Sequence, residues 1–249
     1  MSDKLNLLIP LAGSGKHFKD QGFIFPKPLI EVRGKPMVQI VCENLAGLDA
    51  TTTIFVVRKE DVDGFALADV LRLLVPGCEI IISERPTAGA ACSALMAIKY
   101  INNDDPLVIA NGDQYLDIKV ADFLADARRR KLDGSMITFR SIHPKWSFAK
   151  LDNEGYVMET AEKRPISDHA TAGIYYFAAG RLFVEAAQAM IRKEARVMDQ
   201  FFICPSYNEL ILQGKKIGIY EIGKQAMLPL STPEEVKAFE QHELVTTYA

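Results

Sequence analysis

The sequence predicts an α/β fold, in which a mixed, mainly parallel sheet carries helices on both faces. Through the first half of the chain, short apolar runs alternate with longer amphipathic stretches. That order is typical of βαβ units. The short runs are apolar throughout and do not alternate with polar residues, which is typical of central strands buried on both sides.

The first half contains four predicted strands and three predicted helices. The strands are expected at residues 5–11, 53–57, 79–82 and 107–110, where β-branched and other apolar residues cluster. The helices are expected at residues 37–48, 62–74 and 90–100. In the third helix, Ala94, Leu95 and Ile98 fall on one face, as the helical repeat requires.

In the second half, after about Gly112, predicted strands come in clusters and no longer alternate regularly with helices. A helix is predicted at residues 122–131, whose basic end complements the helix dipole. Further strands are predicted at 135–140, 148–151, 157–158, 173–177 and 217–222, and further helices at 180–191, 206–212 and 233–239. Thr232 is expected to cap the last helix, because a proline follows it at the first helical position. With no repeat or linker, one domain is expected over residues 1–249.

The composition is that of an ordinary globular protein. The 249 residues are 49% hydrophobic and 24% charged, with a net charge of −3. The acidic balance argues against nucleic acid or an anionic membrane as a partner. No stretch approaches the ~20 apolar residues of a membrane span. The four cysteines are scattered and no signal peptide is recognisable, so a cytoplasmic location is expected.

A glycine-rich loop follows the first predicted strand, at the edge where open α/β sheets bind ligands. Its glycines permit a turn whose backbone N–H groups point into one concavity, which suits phosphate oxygens, although a plain turn has the same signature. Phe18 replaces the third glycine of the dinucleotide fingerprint, and Pro10 the first glycine of the ATPase P-loop. The sequence therefore supports neither a dehydrogenase nor a P-loop kinase. The loop residues are Leu11, Ala12, Gly13, Ser14, Gly15, Lys16 and His17.

Two further motifs carry charge. Asp113, in the sequence Asn-Gly-Asp-Gln, follows the strand predicted at 107–110. A carboxylate there suits Mg²⁺ that bridges substrate phosphates, and a capped Asn-Gly turn is the alternative. Lys27 stands between two prolines that stiffen the backbone. Its ammonium can reach a phosphate as a point charge, and a surface lysine in a proline turn is the alternative.

In this order, the motifs resemble those of the sugar-phosphate nucleotidylyltransferase family. The matching segments are LIPLAGSGKHF (8–18), FPKPLIEVRGKPM (25–37), GAACSAL (89–95), NGDQ (111–114), EKRPIS (162–167), ATAGIYYF (170–177) and STPEEV (231–236). Two more segments, HPKWSFAKLD (143–152) and FFICPSYNELI (201–211), resemble a bacterial subgroup of capsule and surface-polysaccharide pathways.

The resemblance implies a three-layer αβα fold of the glycosyltransferase-A type and a specific reaction. A phosphorylated acceptor, a sugar 1-phosphate or a related small phosphate, attacks the α-phosphorus of a nucleoside triphosphate, with CTP, UTP or dTTP expected, and pyrophosphate leaves. Residues 1–118 would form a nucleotide-binding half and residues 119–249 an acceptor-binding half. Mg²⁺ is the implied cofactor. A homodimer through apolar residues exposed on the last helix is a further expectation.

The resemblance also implies a role for each matching residue. Lys27, Lys16 and His17 would be catalytic, and Asp113 would bind the metal. The nucleotide would contact Leu11, Ala12, Gly13, Ser14, Gly15, Arg85, Pro86, Thr87, Gly89, Ala90, Asn111 and Gly112. The acceptor would contact Glu162, Lys163, Thr171 and Gly173.

Two positions depart from the family pattern. His17 stands where relatives usually carry arginine, so a permanent bidentate charge is missing. Pro229 stands where many relatives carry a second metal-binding aspartate, which leaves Asp113 alone or with a carboxylate such as Asp117 or Asp199. These departures keep a non-catalytic nucleotide-binding relative open as an alternative. A glycosyltransferase on the same fold is another alternative, although that class usually carries a paired Asp-x-Asp motif.

Overall fold

The computed structural model describes residues 4–244. Its strands are β1 (Asn6–Pro10), β2 (Glu31–Val32), β3 (Lys35–Pro36), β4 (Thr52–Arg58), β5 (Glu79–Ser83), β6 (Leu107–Ala110), β7 (Gln114–Leu116), β8 (Gly134–Arg140), β9 (Ser147–Leu151), β10 (Val157–Glu162), β11 (His169–Phe177), β12 (Ile217–Glu221) and β13 (Met227–Pro229). Its helices are α1 (Lys16–Lys19), α2 (Met37–Leu45), α3 (Lys59–Phe65), α4 (Leu67–Leu74), α5 (Ala90–Leu95), α6 (Ile98–Ile101), α7 (Val120–Arg129), α8 (Gly180–Arg192), α9 (Tyr207–Leu212) and α10 (Pro233–Gln241).

A nine-stranded sheet runs through this described part of the chain in the order β10-β9-β11-β6-β1-β4-β5, with β8 paired to β11 and β12 paired to β8. Strands β1, β4, β5, β6, β8, β9 and β12 point in one direction, and β10 and β11 point in the other. The predicted mixed, mainly parallel sheet is therefore confirmed. Strands from both halves of the sequence share it.

Two apolar cores lie on opposite faces of the sheet because successive side chains of a strand point to opposite sides. In β1, Leu7 and Ile9 belong to one core and Leu8 to the other. Helices α2, α4 and α7 pack on the first core, and α5, α6, α8 and α9 on the second. The arrangement of helices, sheet and helices explains why the central strands are apolar at every position.

Several predicted elements have different bounds in the structure. The helix predicted at 62–74 is two helices, α3 and α4, because the backbone turns at Ala66, which has a φ of 51°. The helix predicted at 90–100 is likewise divided into α5 and α6. The strand predicted at 157–158 continues to Glu162, and the one predicted at 173–177 begins at His169. The apolar pattern continues across the two helix breaks, so the sequence did not predict them.

The last helix packs against the start of the chain. Val236 and Phe239 of α10 are buried with Phe18 and Met37 in a third apolar cluster. The expectation that the large apolar residues of this helix are exposed is therefore wrong, because Val236 and Phe239 pack within the chain. The homodimer itself stays a prediction. None of the helices in residues 4–244 combines the length and apolar character that a membrane crossing requires.

We predict that Thr232→Ala destabilises the fold by about 1 kcal/mol, the usual effect of losing an N-cap. The Thr232 hydroxyl accepts a hydrogen bond of 3.2 Å from the Glu235 backbone N–H at the start of α10. Denaturant unfolding of the variant measures the change, and Thr232→Ser, which keeps the hydroxyl, is the control. An unfolding free energy equal to that of the wild type would contradict the assignment.

Candidate active site

A cleft of about 630 Å³ opens at the carboxyl ends of β1, β4 and β6. This is the edge where ligands of open α/β sheets bind, and the volume suits a nucleotide-sized molecule. Residues of both halves of the chain line the cleft, from Leu11 after β1 to Ser231 before α10.

The glycine-rich loop forms one wall of the cleft through Leu11, Ala12, Gly13 and Ser14. The Leu11 N–H donates to the Val56 carbonyl over 2.7 Å, which fixes where the loop leaves the sheet. Gly15 adopts a φ of 63°, and a Cβ there would lie 3.3 Å from the Lys27 Cβ. Glycine at this position therefore allows the loop to approach Lys27 closely.

Lys16 and His17 are not brought into the cleft. Both belong to the short helix α1, and both are exposed. Phe18, the next residue, is buried and ties the helix to the third cluster, so its neighbours turn toward solvent. The residues that line the cleft do not include Gly15, Lys16 or His17.

The centre of the cleft holds a three-residue polar cluster. The Lys27 ammonium donates to Asp113 Oδ2 over 2.5 Å, and the Ser231 hydroxyl donates to the same oxygen over 2.9 Å. Burial raises the pKa of the Asp113 carboxyl, but the Lys27 charge and the two hydrogen bonds outweigh it and hold that pKa below its usual value. Asp113 is therefore an anion in the cleft at neutral pH.

Ser231 reaches Asp113 because two short strands pair beside the cleft. Strand β13 runs antiparallel to β7, with Pro229 opposite Gln114. The Leu230 N–H then donates to the Asp113 carbonyl over 2.8 Å, which places the next residue beside the carboxylate. The position of Pro229 thus offers no carboxylate, and a hydroxyl two residues later contacts Asp113.

The segment after β5 forms a second wall. Pro86, Thr87, Gly89 and Ala90 line the cleft, whereas Arg85 is exposed and lines a smaller adjoining cleft. The Phe201 backbone accepts from the Ala91 N–H and donates to the Ala88 carbonyl, at 3.0 and 2.8 Å. A side chain at Gly89 would overlap that backbone.

A bulge in β11 brings the two halves of the site together. Its register against β8 shifts between Thr171 and Tyr175, and Gly173 within it has a φ of 67°. The Asn111 N–H donates to the Gly173 carbonyl over 2.9 Å. Asn111, Gly112, Thr171 and Gly173 all line the cleft.

Glu162 ends β10 with its carboxylate buried at the far end of the cleft. It is 9% exposed and accepts a hydrogen bond from the Ser147 hydroxyl. Burial raises the pKa of Glu162, and the Ser147 hydrogen bond and the Lys163 charge offset only part of that rise. Lys163 follows in the left-handed region, with a φ of 52°, and its ammonium lies 5.2 Å from the centre of the Phe202 ring.

A family model described as nucleotidyl transferase matches residues 8–213 of the chain. The chain belongs to the nucleotidyl transferase family. The match includes most of the residues that line the cleft, and Met227, Pro229 and Ser231 lie beyond it.

Several known proteins are similar to this chain. It is 28% identical over 178 residues to the "Bifunctional protein GlmU" of Methanocaldococcus jannaschii, an alignment that covers 70% of this chain and 40% of that protein. A crystal structure of a nucleoside-diphosphate-sugar pyrophosphorylase from Vibrio cholerae RC9 is similar in fold, with a TM-score of 0.83, 24% identity, and coverage of 95% of this chain and 100% of that one. A Bacillus anthracis structure named as a glucose-1-phosphate thymidylyltransferase, in complex with sucrose, has a TM-score of 0.77 and 17% identity, and covers 98% and 97% of the two chains.

Sequence reasoning missed several of the residues that line the cleft. Besides Ser231, they include Arg58, Lys145, Trp146, Ser147, Gln200 and Phe202. Arg58 ends β4, so the rule that ligands bind at strand carboxyl ends would have singled it out. The others lie in loops or at the first residue of β9. Most of them belong to the segments 143–152 and 201–211, which were matched to a subgroup without a role being assigned to any single residue. Asp117 and Asp199, considered as metal ligands, do not line the cleft.

We predict that Glu162→Gln stabilises the fold relative to the wild type by an amount that grows with pH. A carboxyl whose pKa is raised by folding contributes stability below its unfolded pKa of about 4.3, and that contribution is lost as pH rises through the folded pKa. Glutamine keeps an acceptor for the Ser147 hydroxyl and never ionises. Denaturant unfolding at several pH values between 4.5 and 8 measures the difference.

The control for this experiment is Glu159→Gln on the same strand. Glu159 is more exposed and pairs with Arg164 over 2.7 Å, so its substitution does not remove a buried charge. A Glu162→Gln stability difference that stays constant or shrinks as pH rises would contradict the burial argument.

Proposed function

We propose that this chain transfers a nucleoside monophosphate group from a nucleoside triphosphate to a small phosphorylated acceptor and releases pyrophosphate. The observation that carries the proposal is the meeting of Lys27, Asp113 and the glycine-rich loop in one cleft. A sugar 1-phosphate is the acceptor class we favour, because two of the similar structures are named as a nucleoside-diphosphate-sugar pyrophosphorylase and a glucose-1-phosphate thymidylyltransferase. The lining residues within 1–118 would form a nucleotide end of the cleft, and those within 119–249 an acceptor end.

The chain's own groups meet the main physical demand of such a displacement, which is to position two phosphates and neutralise charge. The loop from Leu11 to Ser14 would receive phosphate oxygens on backbone N–H groups. The Lys27 ammonium would leave Asp113 for the more highly charged polyphosphate and hold the acceptor phosphate near it. Lys16 and His17, which the resemblance makes catalytic, are exposed and have no such role in this proposal.

Mg²⁺ fits the donor set at the centre of the cleft. Mg²⁺ commonly binds through one or two carboxylates and takes its other ligands from substrate phosphates and water. Residues 4–244 hold no cluster of three His, Cys, Asp or Glu side chains that would bind a metal alone. Asp113, with Ser231 beside it, would hold the ion, which would supply charge neutralisation to the polyphosphate.

The far end of the cleft suits a polar acceptor. Glu162 would accept hydrogen bonds from acceptor hydroxyls, and the Lys163 ammonium would meet the acceptor phosphate. Trp146 and Phe202 offer apolar faces on which a sugar ring packs. Both aromatic residues belong to segments that resemble the capsule and surface-polysaccharide subgroup, and we propose that the product serves such a pathway.

Pyrophosphate release tests the proposal directly. The chain would be incubated with CTP, UTP, dTTP or GTP, with and without Mg²⁺, and with a panel of sugar 1-phosphates and other small phosphates. We expect release that needs Mg²⁺, an acceptor and one preferred triphosphate among CTP, UTP and dTTP. Consumption of a nucleotide-sugar without pyrophosphate release would indicate a glycosyltransferase. Nucleotide binding without turnover would indicate a non-catalytic relative.

We predict that Asp113→Asn lowers kcat by about 100-fold or more, because it removes the carboxylate proposed to hold the metal. The fold should survive, since an asparagine amide oxygen still accepts the Ser231 hydroxyl. Steady-state kinetics and thermal unfolding measure the two effects. Asp117→Asn, four residues on and outside the cleft, is the control. Near wild-type activity in Asp113→Asn, or an equal loss in the control, would show that the metal assignment is wrong.

A further inference from the structure

Arg58 provides a guanidinium at the glycine-rich loop, where Lys16 and His17 are turned outward. Its side chain is 18% exposed and lines the cleft. Its Nη1 donates to the Ser14 carbonyl over 3.3 Å, so the charge lies against the loop itself. Within residues 4–244, it is the only arginine that lines this cleft.

The register of the parallel sheet puts Arg58 there. Pro10, the last residue of β1, pairs with Val56, and the Leu11 N–H bonds to the Val56 carbonyl. Strand β4 continues two residues further while β1 gives way to the loop. The last side chain of β4 therefore stands beside the first turn of the loop.

The other cationic side chains of the cleft are paired elsewhere or lie away from the glycine-rich loop. Lys27 pairs with Asp113 at the centre. Lys145 pairs with Glu235 over 2.8 Å, and its ammonium lies 4.4 Å from the centre of the Trp146 ring. Lys163 lies at the far end beside Phe202. At the loop end, the lining residues offer backbone N–H groups and the Arg58 guanidinium.

The ion pair with Glu60 allows the Arg58 guanidinium to change partners. Its carboxylate Oε1 pairs with Arg58 and also with the Lys19 ammonium, which is 3.2 Å away. If Arg58 turns toward an anion in the cleft, Glu60 keeps Lys19 as a partner. Glu60 is also exposed, so water replaces its lost contact with Arg58 at little cost.

We propose that Arg58 binds the polyphosphate tail of the nucleotide and supplies the bidentate guanidinium that His17 does not. A planar guanidinium matches two phosphate oxygens at once, which a lysine or a neutral imidazole does not do. The inference rests on the proposed function for the identity of the ligand. In this proposal Glu60 pairs with Arg58 while the cleft is empty of nucleotide, and competes with the phosphates for the guanidinium when a nucleotide binds.

Binding of inorganic tripolyphosphate and of the preferred nucleoside triphosphate, measured by calorimetry, tests the inference without turnover. We expect Arg58→Gln to weaken both by about 10-fold or more, because a charge-assisted bidentate contact is lost. Binding of the nucleoside monophosphate should stay within about twofold, because the tail is absent from it. Arg58→Lys should lie between the wild type and Arg58→Gln.

Lys59→Gln is the matched control, since it removes one positive charge from the adjacent, exposed residue paired with Glu84. Its affinities should stay within about twofold of the wild type. Glu60→Gln, which leaves Arg58 in place, should tighten binding of tripolyphosphate. Thermal unfolding of each variant reports whether the fold is kept.

Equal tripolyphosphate affinity in the wild type and Arg58→Gln would overturn the inference. A loss in Lys59→Gln as large as in Arg58→Gln, or a wild type that does not bind tripolyphosphate, would also overturn it. A wild type that binds tripolyphosphate through Arg58 yet releases no pyrophosphate would overturn the proposed function and leave the Arg58 assignment intact.

Discussion

The ion pair between Lys27 and Asp113 is the contact around which the rest of the site is arranged. Both side chains are mostly shielded from water, with exposures of 20% and 27%, and their charges lie 2.5 Å apart. Each partner carries one unit of charge, so a more strongly charged ligand can displace either of them. A polyphosphate attracts the ammonium, and a divalent cation attracts the carboxylate. The contact between Lys27 and Asp113 is thus suited to separate when the polyphosphate and the cation bind.

The fold brings together three distant parts of the chain to build that centre. Strands β1 and β6 are neighbours in the sheet, so their following loops meet at one edge. The β7–β13 ribbon adds Ser231, and α10 is buried against Phe18 beside the first loop. Glu235 of α10 accepts from the Ser231 N–H over 2.9 Å and pairs with Lys145, which connects this centre to the aromatic end of the cleft.

Sequence reasoning predicted the parts that depend on local pattern. Buried strands such as β1 and β6 are apolar at every position, and the polar residues that follow them were recognised as site candidates. The orientation of Lys16 and His17 was not predictable, because it depends on how Phe18 packs against residues of α10 more than 200 positions away in the sequence. Ser231 was missed for a related reason, since the pairing of β7 with β13 places it beside Asp113. Arg58 could have been found, because it ends a strand of the sheet at the edge where ligands bind. The resemblance indicated which segments form the site. It could not indicate which other residues the fold brings to the places where the usual family residues are missing.

The central claim is that Lys27 and Asp113 serve one bound polyphosphate. A crystal structure of the chain with a non-hydrolysable nucleoside triphosphate and Mg²⁺ tests it most directly. We expect the phosphates to lie against the loop of residues 11–14, the Lys27 ammonium to have moved from Asp113 to a phosphate oxygen, and the metal to be bound at Asp113. A nucleotide bound elsewhere, with the Lys27–Asp113 contact unchanged, would contradict it.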